Sequence, residues 1–76
     1  MHGIDREKSK IRMKILTKGN KENFPWYNFL KENNKPPHEI IARMKSRFMK
    51  HAIAQETQVI QFYDNHTGQL LEEHNF

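Results

Sequence analysis

Seventy-six residues and no cysteine set the first limits. A chain of this length makes one domain at most, buries about 60% of its unfolded surface, and has neither disulfides nor a thiolate metal site to staple it. Residues 1–51 hold all thirteen Lys and Arg with five acidic side chains, whereas residues 52–76 hold four acidic side chains and no basic one, for a formal net charge of +4. That segregation suits a polyanionic partner or two halves that complement each other. Unbroken apolar runs reach only two or three residues. These are too short for a signal peptide or a spanning helix, so a cytoplasmic protein without membrane contact is expected.

Residues 1–9 have mixed charge and no period, and read as a flexible arm ahead of one domain over 10–76. Ile11, Met13 and Ile15 alternate with Arg12 and Lys14, the period of a half-buried strand. Lys18-Gly19-Asn20-Lys21 is turn chemistry and ends it. Phe24 to Asn33 reads as a short helix, with Asn23 as cap, Pro25 in the first turn, and Trp26, Phe29 and Leu30 on one face. Pro36-Pro37 forbids its continuation.

Pro37 to Gln55 carries the clearest helical period: Ile41, Met44, Phe48 and Ala52 form an apolar stripe widened by Ile40 and Ile53. Glu39 suits the positive end of such a helix, and Lys50 and His51 the negative end. Thr57 to Tyr63 is rich in β-branched and aromatic residues, Asp64 to Gly68 is a hairpin loop, and Gln69 to His74 is the return strand. The expected fold is α+β, a small two-layer sandwich in β-α-α-β-β order, with the long helix packed on a three-stranded antiparallel sheet. Ile15, Phe29, Leu30, Ile41, Met44, Phe48, Ile53 and Phe62 are its expected core. Arg12 and Lys14 on the first strand are expected to meet Glu72 and Glu73 on the hairpin.

Arg43, Arg47 and Lys50 recur on one helix side, with His51 beside them, Lys45 further round, and Lys8 and Lys10 of the arm as added positive charge. Such a stripe suits phosphate contacts, which add affinity without reading sequence. Most charged helix faces are merely solvated; if this one binds phosphates, Arg43→Ala with Arg47→Ala should leave stability nearly unchanged while cutting affinity and flattening its salt dependence by about 2. Phe62 and Tyr63 must point to opposite faces of their strand, and Tyr63 is the candidate to stack on a base. No helix-turn-helix, P-loop, nucleophile elbow or metal-ligand spacing is present, so no catalytic residue, metal or cofactor is expected. His51, His66 and His74 could form a ribonuclease-like acid–base pair only if folding brought them together. The expectation is a non-catalytic module binding DNA or RNA with low sequence specificity. The alternative is a protein-binding, inhibitor or antitoxin-type module, or a homodimer, using the edge of the C-terminal hairpin.

Overall fold

Ile11, Met13 and Ile15 are fully buried along β1 (Ile11–Thr17), while Arg12 and Lys14 between them are half-buried on its other side. The computed structural model describes residues 7–19 and 25–76, and the backbone of 21–22. The remaining strands are ordered around β1. β2 (Lys21–Glu22) and β3 (Trp26–Tyr27) share one edge of it, and β4 (Thr57–Asp64) pairs along the other, followed by β5 (Leu70–Asn75). Every pairing is antiparallel, giving a sheet four strands wide in the order β2/β3, β1, β4, β5.

One α-helix, α1 (Pro37–Met49), packs on this sheet. Ile40, Ile41, Met44 and Phe48 meet Ile11, Met13 and Ile15 of β1 and Ile60 and Phe62 of β4, with Trp26, Ile53 and Ala54 at the margin. Trp26 sets its ring edge-on to Phe48, with centroids 5.3 Å apart. The α+β class and the layering agree with the sequence, but the sheet is four strands wide rather than three, because β2 and β3 add to the edge of β1. Of the expected core, Ile15, Ile41, Met44, Phe48 and Phe62 are buried, whereas Phe29, Leu30 and Ile53 are only half-buried.

Three expectations need correction. The short helix over 24–33 does not form: Trp26-Tyr27 is a strand and only Leu30–Glu32 turns as a 3₁₀ segment, while Asn23 and Phe24 lie outside the described residues. An open edge of β1 and the preference of Trp and Tyr for a pleated surface outweigh the weak propensity of a ten-residue helix. The long helix stops at Met49 with Lys50 as C-cap; His51 is extended, and a 3₁₀ segment over Ala52–Glu56 leads into β4. The partner of β1 is β4, so Glu72 and Glu73 do not lie beside Arg12 and Lys14.

Residues 1–6 of the expected arm lie outside the described residues, but Ser9 is fully buried. A polar network holds it there. Ser9 Oγ donates to Asn28 O at 2.9 Å, Asn28 Oδ1 accepts Ile11 N–H at 2.8 Å, and Asn28 Nδ2 donates to Asn33 Oδ1 at 2.7 Å. Asn65 Nδ2 adds a bond to Ser9 O at 2.8 Å from the hairpin loop. Among the described residues no buried side-chain nitrogen or oxygen lacks a partner, as a stable small core requires. In the hairpin loop, Gly68 takes φ of 79°, and the N–H groups of Thr67 and His66 donate to the Asp64 carboxylate and hold its pKa below the ordinary value.

Candidate nucleic-acid interface

The period that buries Phe48 puts Arg43, Arg47 and Lys50 on one flank of α1 and Lys45 on the opposite flank. Lys45 reaches Glu72 of β5 at 3.4 Å, both side chains being partly in water. Arg43 is 49% exposed and lies 3.6 Å from Glu39, a surface pair one turn back that costs little to exchange for a phosphate. Lys50 and His51 are exposed at the helix end, the position where positive charge meets the negative pole of the helix. Lys10 is apart from this group: its Nζ donates to Lys35 O at 3.4 Å on the far side of the Asn28–Asn33 loop.

Arg47 has a different occupation. Its guanidinium makes two bonds to the Glu32 carboxylate, at 2.9 and 3.3 Å, and lies 4.2 Å from the centroid of the Phe29 ring. Glu32 is 3% exposed at its side chain, and its Oε1 also accepts Phe29 N–H at 3.0 Å. Burial pushes this carboxyl up, but the Arg47 bonds, the Phe29 N–H and the nearby charges outweigh it, so its pKa lies below the ordinary value. A solvated stripe is thus the wrong description of Arg47, and the double exchange with Arg43 would not leave stability intact. Nothing in the sequence singles out Glu32 beyond its place three residues after Phe29, the spacing at which a Glu can turn back on a helix start.

Beside this pair, Pro25, Trp26, Tyr27, Phe29 and Arg47 line an open cavity of about 380 Å³. His51 stacks edge-on to Trp26 with centroids 5.5 Å apart, so the basic end of α1 borders an aromatic wall. The second set of aromatic and basic groups is on the sheet face away from α1. Tyr63 is half-buried there while Phe62 is fully buried under the helix, and Arg12 lies between Tyr63 and Tyr27 in register. The guanidinium of Arg12 is 5.1 Å from the Tyr63 ring centroid, and Tyr63 Oη donates to Gln61 Oε1 at 2.9 Å.

The histidines are dispersed. His51 is at the end of α1, His66 in the hairpin loop, and His74 on β5 against Phe76, with centroids 4.8 Å apart. No group of three His, Asp or Glu among the described residues is arranged to hold a metal ion, and no described helix is long and apolar enough to cross a membrane. No family model, curated protein or solved structure matches the chain.

Proposed function

We propose that this chain is a small non-catalytic module that binds nucleic-acid phosphates through Arg43, Arg47, Lys50 and His51, with little sequence preference. One observation carries the proposal: the end of α1, with Lys50 and His51 exposed, adjoins the aromatic cavity that Arg47 lines, His51 meeting the Trp26 ring edge-on. Arg43 and Lys50 supply the exchangeable charge, because the first is half-exposed in a surface pair with Glu39 and the second is exposed at the helix end. Arg47 anchors that flank on Glu32 and lines the cavity. Lys45, paired with Glu72 on the opposite flank, and Lys10, bonded to Lys35 O, lie outside this site. Fluorescence anisotropy with labelled duplex DNA, single-stranded DNA and RNA at low salt tests this: binding to at least one is expected, and binding to none refutes it.

A second reading, protein binding through β5, has an observation of its own. Along this edge strand Leu70 is 47% exposed, Leu71 37% and Phe76, just beyond it, 50%. A second copy paired antiparallel about the middle of Leu70–Asn75 would set Glu72 against Glu73 of its neighbour, which is unfavourable. A basic extended segment of another protein fits the edge better. Glu72→Lys with Glu73→Lys should abolish capture of such a partner; capture unaffected by the exchange would refute the β5 site.

A further inference from the structure

We infer that the open face of the sheet takes single-stranded nucleic acid, with bases laid on Tyr27 and Tyr63 and a phosphate held by Arg12 between them. The inference rests on the nucleic-acid reading above and adds to it the strand state of the ligand and a second surface.

Tyr27, Arg12 and Tyr63 are Cα partners across three adjacent strands, β3, β1 and β4. Their side chains share one face, because the neighbours on the same strands, Trp26, Met13 and Phe62, turn toward α1. Neighbouring strands are about 4.8 Å apart, so the two tyrosines stand roughly 10 Å from each other with the cation midway. Both rings are half-buried, hence held by their surroundings yet reachable from solvent.

Charge complementarity selects the occupant. Arg12 is the outward position of β1 that stands between the two tyrosines. An acidic peptide could pair with Arg12 but would offer the tyrosine rings no planar partner beyond the Arg12 guanidinium that already lies over Tyr63. A duplex hides its base faces in its own stack and could reach only the charges, whereas unpaired bases stack on aromatic side chains whatever their sequence. Tyr27 also lines the cavity that reaches Arg47, so a strand leaving the row at Tyr27 meets the basic flank of α1.

The test uses the full chain and fluorescein-labelled dT and U oligomers of about 12 nucleotides, with a duplex of matching length. Tyr63→Leu and Tyr27→Leu keep the apolar cover and remove the ring; Tyr63→Phe keeps the ring. Each Leu variant should weaken single-strand binding about tenfold, leave duplex binding within about twofold, and leave Tyr63→Phe near wild type. If both Leu variants bind single strands as wild type does, or lose duplex and single strand in parallel, the sheet-face site is overturned while the helix site stands. A wild-type chain that binds no oligomer overturns both. Arg12→Gln should flatten the salt dependence of single-strand binding by about 0.7, the loss of one phosphate contact, and an unchanged slope counts against the site. If a Leu variant does not fold, the comparison of Arg12→Gln with wild type and Tyr63→Phe decides.

Discussion

Arg47→Met is the substitution whose consequences the structure fixes most closely. It keeps the aliphatic stem beside Phe29 and removes the charge that faces Glu32, a carboxylate 3% exposed at its side chain. Removing one member of a buried pair costs about 3–5 kcal/mol, because the other is left charged and desolvated. Arg47 itself is 31% exposed, so water reaches part of the pair and the lower end applies, about 2–4 kcal/mol. A chain of this size has about 4–11 kcal/mol in all, at roughly 0.05–0.15 per residue. With about 4–8 °C lost per kcal/mol, the midpoint should fall by roughly 8–32 °C at neutral pH.

The pH dependence supplies a sign that packing loss alone would not. In the wild type the Glu32 pKa is held down, so its contribution is present above the unfolded value, about 4.3, and is lost as pH falls through the lower folded value. Without Arg47, burial raises that pKa instead, and protonation relieves the variant as pH falls. The stability gap between the two should therefore narrow on acidification. Glu32→Gln in the Arg47→Met background should likewise be milder than the two single losses added together. Urea melts across pH 3–7 measure this. A gap under about 1 kcal/mol at pH 7, or one that does not change with pH, would show that the pair is not buried as described.

Phe48→Ala should cost about 3–5 kcal/mol, because the ring is fully buried between Trp26 and the sheet core; a thermal melt little changed from wild type would contradict the seating of α1. Asn28→Ala removes the acceptor for Ile11 N–H and the donor to Asn33, for about 1–3 kcal/mol, and should speed hydrogen exchange at Ile11; unchanged exchange there would place the start of β1 under some other restraint.

The long helix and the hairpin were legible because their signals are local. The spacing of Ile41, Met44 and Phe48, the Pro36-Pro37 start, and Gly68 after Asp64 need no distant partner to be read. The stretch from Pro25 to Asn33 was not legible, since its conformation is set from outside. Trp26-Tyr27 is extended because β1 has an open edge, and Asn28 and Asn33 are held by the backbone N–H groups of Ile11 and Lys10, far away in sequence. The candidate site divides the same way. Arg43, Lys50 and His51 could be grouped from helical spacing, whereas Arg47 acquired a structural role from a carboxylate fifteen residues earlier. The meeting of Tyr27 with Arg12 required a strand pairing that no periodicity announces.

The salt dependence of binding bears most directly on the claim that the end of α1 holds phosphates. Arg43→Gln with Lys50→Gln removes the two exchangeable charges and spares the Arg47–Glu32 pair, so the melting temperature should hold. For wild type, log K for duplex DNA should fall against log salt with a slope of about −2 to −4, at roughly −0.9 per contact. The double variant should bind more weakly at low salt, with its slope flatter by about 2. A double variant that keeps both the wild-type affinity and the wild-type slope would contradict the assignment of phosphate binding to this helix.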